Sequence, residues 1–209
     1  MSDVLNSQVT RLHLIRHGEV ETPYQKVFGG SRIDMNLSPK GQEQAEALGR
    51  HFETHRFDAI YVSPMKRAQQ TLAPIAKRQP AKPITLDGLR EVDFGSWTGL
   101  TWDQVVERHQ VSAFDWLHML EKGHIADAEN TQQLRGRVEP CLNEILRDNP
   151  GKDVAVVCHG GIVRKLIAIL LEIPIVKTAQ FEIEYASISI VEHNARRSRL
   201  QLLNHTPWR

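Results

Sequence analysis

Cysteine is scarce here: Cys141 and Cys158 are the only two in 209 residues. That is too few for a secreted disulfide framework, and neither stands near histidines at zinc-module spacing. Long apolar runs are also missing, since Leu166 to Leu171 falls far short of a membrane span. The stretch Met1 to Thr10 is short and polar and reads as no targeting segment. Charge of one sign is absent too: the net charge of +1 argues against a general polyanion binder. No internal repeat or low-complexity segment interrupts the chain. These absences lead to the expectation of a cytoplasmic protein with neither membrane nor nucleic acid as partner. With 41% hydrophobic residues, the chain can fill one sizeable core, so residues 1–209 are expected to form one domain.

What is present alternates between strand and helix patterns. Arg11 to Ile15 alternates polar and apolar side chains and stops at Arg16-His17-Gly18. Ser38 offers an N-cap with Pro39 at the first helical position, and Ala45, Leu48 and Phe52 mark one face of a helix running to about Thr54. Asp58 to Val62 reads as a strand, Met65 to about Gln79 as a helix and Pro83 to Leu86 as a third strand. Between Asp87 and Asn130 the pattern is irregular, with short helices expected over Asp103–His109 and Ala113–Glu121. A long helix follows over Thr131–Arg147, kinked at Pro140. Asp153 to Cys158 is a continuous apolar run of the kind buried on both faces, and Ile162 to Leu171 is helical. Ser187–Val191 and Leu200–Leu203 suggest two final strands. The class is α/β with a mostly parallel sheet.

Three strand ends carry related chemistry. Arg16-His17-Gly18, His159-Gly160-Gly161 and the Ser63-Pro64 junction leading to Arg67 each place cation-capable groups where a strand hands over to a loop or helix. Ligands of open α/β sheets bind at the carboxyl ends of strands, and helix starts offer free amide donors. Each of these residues alone reads as an ordinary surface or structural side chain. Their convergence points to an anion site with a histidine nucleophile.

The same motifs resemble those of the histidine phosphatase superfamily, also called phosphoglycerate mutase-like. The resemblance runs through Leu14-Ile-Arg-His-Gly-Glu19, Asn36-Leu-Ser-Pro-Lys-Gly41, Ser63 to Thr71, Leu89 to Gly99 and Val156 to Gly161. It implies a three-layer α/β/α fold and a phosphohistidine formed on His17. Arg16, Arg67 and His159 would clamp the phosphoryl group, with Gly160 beside them, and Glu91 would donate the proton. No metal and no cofactor are implied, and the partner is a small phosphorylated substrate. Fixed guanidinium groups can replace a metal ion against phosphoryl charge. Glu91 can act as acid if the site raises its pKa, and Asp93 is the alternative donor.

The chain departs from the family pattern in two places. Val20 and Pro23 stand where Ser or Thr and then Asn are frequent, and Ala128-Glu129-Asn130 replaces a common Gly-Glu-Ser. Two other readings compete. Cys158 and Arg164 have the Cys, five residues, Arg spacing of cysteine-dependent phosphatases, and a phospho-ligand binder without catalysis is the other. Hydrolysis is expected in preference to mutase chemistry, because Arg108 and Lys122 are the only strongly basic residues between Glu91 and Asn130. Tyr24, Arg32, Phe94, Trp97 and Trp116 are expected to line the pocket. The physiological substrate and the oligomeric state are not legible.

Overall fold

The computed structural model describes residues 8–112 and 115–209. Its strands are β1 (Thr10–Arg16), β2 (Ala59–Val62), β3 (Pro83–Thr85), β4 (Asp153–Cys158), β5 (Ile188–Asn194) and β6 (Arg197–His205). They form one sheet in the order β3-β2-β4-β1-β5-β6. The first four in that order are mutually parallel, and β5 and β6 close the other edge antiparallel. Among the described residues six α-helices accompany the sheet: α1 (Pro39–His51), α2 (Lys66–Ala76), α3 (Trp102–His109), α4 (Trp116–Glu121), α5 (Thr131–Asp148) and α6 (Gly160–Leu170). The expected α/β class with a mostly parallel sheet holds.

The central strands explain their own composition. Side chains alternate between faces, so Leu12 and Leu14 of β1 join Val154, Val156 and the inner faces of α5 and α6 in one cluster. Ile15, Ala155 and Val157 face the other way and pack with Leu48 of α1 and Leu72 of α2. Both faces of β4 are thus covered, and the run from Val154 to Cys158 is apolar without a break. Helix starts follow the expected chemistry. Ser38 Oγ accepts from Gly41 N at 3.0 Å, and Asn130 with Gln133 forms a capping box before α5.

Several boundaries differ from expectation. α1 ends at His51, where Phe52 leaves helical geometry, and α2 ends at Ala76. α5 continues through Pro140 to Asp148. The expected start of the fourth helix at Ala113 lies outside the described residues. A 3-10 helix at Ile175–Gln180 had no periodic signature strong enough to read, and the two expected final strands run longer than anticipated, as β5 and β6.

Candidate active site

β1 and β4 run side by side with Arg16 opposite Cys158, so both strands stop at one level. The residues after them, His17 and His159, are therefore neighbours, with ring centroids 5.1 Å apart. β2 ends beside them, with Ser63 N donating to Val157 O at 3.0 Å, and α2 then carries Arg67 to the same point. The three strand ends singled out in the sequence meet.

Hydrogen bonds define both imidazoles. His17 Nδ1 lies 2.8 Å from Gly18 O, a carbonyl that only accepts, so Nδ1 carries the proton and Nε2 keeps its lone pair. Arg67 Nε donates to that Nε2 at 3.3 Å and to His159 Nδ1 at 3.2 Å. His159 Nε2 in turn donates to the fully buried Ser63 Oγ at 2.7 Å. In this arrangement His159 presents an acceptor to the site. Burial, then the charges of Arg67 and nearby groups, hold both histidines well below the usual imidazole pKa.

The arginines are fixed by backbone. Arg67 donates to Gly30 O at 2.9 Å and Ile33 O at 3.1 Å. Burial works against its charge, and the carboxylates of Glu91 and then Asp34 work for it. Arg16 donates to Ile183 O at 2.6 Å, and its guanidinium carbon sits 4.0 Å over the ring of Tyr185. Its buried Nε–H has no partner among the described residues, which leaves a donor free for a bound anion. Tyr185 is a site residue that sequence reasoning missed. It lies on the loop before β5, where no motif or spacing marks it, and Trp208 Nε1 donates to its carbonyl at 3.0 Å.

Glu91 reaches the same cavity from the loop after β3. Its Oε1 accepts from Val92 N at 2.9 Å and its Oε2 from Gly161 N at 3.3 Å. A Cβ at 161 would stand 2.6 Å from Glu91 Oε1, so any larger residue there would push the carboxylate out of this position. Arg137 clamps this loop by donating to the carbonyls of Gly88, Arg90 and Glu91, and it is itself held by Glu129. Asp93, the alternative donor, is half-buried in an ion pair with Arg32 at 2.7 Å and accepts from Gly95 N, so it is committed to its own loop.

The two departures from the family pattern have local explanations. Val20 is buried and pairs with Leu37 across the loop, while Pro23 sits exposed in a 3-10 turn, Thr22–Tyr24. Asn130 supplies the helix cap in the Ala128-Glu129-Asn130 segment.

Beyond the cations lies a cavity of about 1130 Å³ whose lining includes Phe28, Phe94, Trp102, Val106, Val111 and Trp116. Phe94 and Trp116 are wall residues as expected. Trp97 is not: the Gly95–Trp97 turn buries it to 1% exposure in the core. Tyr24 and Arg32 also fall outside the lining. Arg108 and Lys122 are exposed and do not contribute to it.

The cysteine scheme fails on geometry. Cys158 is fully buried on β4, and burial pushes its thiol well above the usual range. Arg164 is occupied by the carbonyls of Gly160, Thr178 and Phe181.

Comparison with known proteins gives a consistent result. The sequence model of the histidine phosphatase superfamily (branch 1) matches residues 12–206. Phosphoserine phosphatase 1 of Hydrogenobacter thermophilus is 29% identical over 199 residues, covering 95% of this chain and 93% of that protein. The adenosylcobalamin/alpha-ribazole phosphatase of Escherichia coli is 26% identical, with 93% and 95% covered. A phosphoglycerate mutase structure from Bacillus anthracis shares the fold, with a TM-score of 0.82, 24% identity and 98% and 97% covered.

Proposed function

The chain belongs to the histidine phosphatase superfamily and is a phosphoric monoester hydrolase, and from that premise we propose that His17 is its nucleophile. The observation that carries this is the tautomer: Gly18 O takes the proton of Nδ1, and Nε2 faces the guanidinium of Arg67 with its lone pair intact. A phosphoryl oxygen is a stronger acceptor than an imidazole nitrogen. It draws the Arg67 Nε–H away and frees Nε2 to attack phosphorus.

In the first step the His17 Nε2–P bond forms and the ester P–O bond breaks, while Glu91 gives its proton to the departing oxygen. In the second step water attacks phosphorus, the P–N bond breaks, and Glu91 recovers a proton from the water. Arg16 and Arg67 hold the equatorial oxygens throughout. The negative charge of the bound group also offsets the cost of protonating His159, which then donates from Nδ1. Gly160 lets the backbone approach closely.

The substrate we propose is a small phosphate monoester whose organic part is an apolar or aromatic ring. The wall formed by Phe28, Phe94, Trp102 and Trp116 supports that reading. A net charge of +1 favours such a partner over nucleic acid. Two free thiols, Cys141 and Cys158, support a cytoplasmic location. Among the described residues no helix is long and apolar enough to cross a membrane. One sheet containing strands from both ends of the chain supports a single domain.

Intact-mass spectrometry after a rapid quench with p-nitrophenyl phosphate should show an acid-labile phosphoryl adduct that is absent in His17→Ala. An acid-stable or cysteine-linked adduct would overturn the assignment. Across a panel of monoesters, ring-bearing alcohols should give higher kcat/KM than phosphoserine or phosphoglycerates.

A further inference from the structure

At the other end of the sheet, three side chains from three elements converge without a role in the reaction. β1 and β4 pair so that Arg11 lies opposite Asp153 and His13 opposite Ala155. His13 and Asp153 therefore project from the same face as diagonal neighbours. The connection from α1 to β2 brings His55 over them, its ring centroid 5.0 Å from that of His13. His13 is only 5% exposed and is walled edge-on by Phe52 and Phe57. Among the described residues both of its ring nitrogens lack a hydrogen-bond partner, and so does His55 Nε2. Buried imidazole nitrogens are rarely left so, because the lost hydration goes uncompensated.

We propose that His13, His55 and Asp153 form a binding site for a divalent first-row transition metal ion of the zinc type. His13 Nε2 is 3.6 Å from Asp153 Oδ1, and His55 Nε2 is 3.9 Å from Asp153 Oδ2. One ligand atom from each residue lies within 4.8 Å of the others. These separations are too long for hydrogen bonds. They approach the spacing of about 3.3 Å between ligand atoms around a tetrahedral ion with bonds near 2.0–2.2 Å. Two imidazoles and one carboxylate suit zinc, and the partial exposure of His55 and Asp153 leaves an entry path and a fourth position for water. Arg11 also approaches Asp153, at 3.6 Å, but it shares its charge with Glu192 at 3.2 Å. Asp58 adds a second carboxylate next to the site, accepting from Asp153 N at 2.9 Å. His13 lies four residues before His17, roughly 13 Å along the strand at 3.3 Å per residue, so an ion here cannot touch the phosphoryl group. Its effect is to tie the connection after α1 to the two central strands.

The test uses the whole chain, stripped with a chelator and titrated calorimetrically with zinc, with cobalt as a spectroscopic probe. One tight equivalent per chain is expected, with a thermal midpoint raised by several degrees and cobalt bands typical of a four-coordinate ion. His55→Ala and Asp153→Asn should each weaken binding by roughly 100-fold or more. His51 and His205, whose ring centroids lie 5.5 Å apart, are the competing histidine pair, so His51→Ala should leave the tight equivalent in place. Failure to bind zinc, binding that survives both ligand variants, or binding lost only in His51→Ala would each overturn the proposal.

Discussion

Strand β1 carries one buried histidine, His13, and hands over directly to another, His17, four residues on, and their surroundings are opposite. His17 and its neighbour His159 have every ring nitrogen engaged, through Gly18 O, Ser63 Oγ and the Nε–H of Arg67. His13 has neither nitrogen engaged, and His55 beside it leaves Nε2 without a partner. The first pair is held in one tautomer and orientation, as a reacting group requires. The second packs among aromatic rings beside Asp153, with ring nitrogens that no hydrogen bond engages. Burial by itself therefore says little about a histidine, and the partners of its two nitrogens say much more.

The contrast breaks most sharply at His17. His17→Ala should lower turnover by several orders of magnitude with the fold intact, as judged by circular dichroism alongside steady-state rates. A merely modest loss would mean that the engaged tautomer has no catalytic meaning. Next in size is Glu91→Gln, expected to slow alkyl phosphates by about 10²–10⁴-fold and p-nitrophenyl phosphate much less, since phenolate leaves without help. Equal losses for both substrates would reassign the carboxylate to loop structure.

Stability separates the two pairs on a smaller scale. Replacing His13 with Leu removes two unpartnered nitrogens from an apolar setting and should stabilise the metal-free protein by about 1 kcal/mol in urea unfolding. Burial lowers the folded-state pKa of His13, His17 and His159 below their unfolded value of 6.5. The unfolded chain then binds more protons than the folded one as the pH drops below 6.5, so stability is full above that value and declines beneath it. For His13 the decline extends to about pH 4. Histidine NMR across this range should show all three rings neutral at pH 6.5, and His13→Leu should flatten part of the loss. The smallest effect belongs to Cys158→Ala, which should change kcat/KM by no more than about twofold and leave the enzyme insensitive to thiol reagents, because the thiol is sealed within β4.

Much of this was visible in the sequence where chemistry and local pattern coincide. The unbroken apolar run to Cys158 and the Arg-His-Gly and His-Gly-Gly endings are local signals, and parallel pairing of β1 with β4 needs nothing else to bring His17 and His159 together. Tyr185 and Arg137 were invisible for the converse reason. Their roles depend on a cation stacked over one ring and on carbonyls gathered from residues 88–91, and no periodicity encodes either. Trp97 was misplaced because composition identifies a large aromatic but not its direction. Gly95, at φ +50°, sets the turn that sends it inward, and Phe28 from the preceding loop takes a place on the wall. The His13, His55 and Asp153 cluster was equally hidden, since its members are far apart in sequence and share only a face of the folded sheet.

The two carbonyls that hold Arg67 also decide how molecules come and go. Gly30 O and Ile33 O belong to the loop between β1 and α1, so lifting that loop would unlatch the guanidinium that must meet the phosphoryl group. That segment is a latch and not a lid. Traffic then falls to the opposite rim, where Trp102 and Val106 of α3 and Trp116 of α4 border the cavity. An alcohol leaving by that side passes over aromatic rings while the phosphohistidine stays clamped. On the proposed mechanism, departure of the first product would then leave the Arg67 latch in place for the second step.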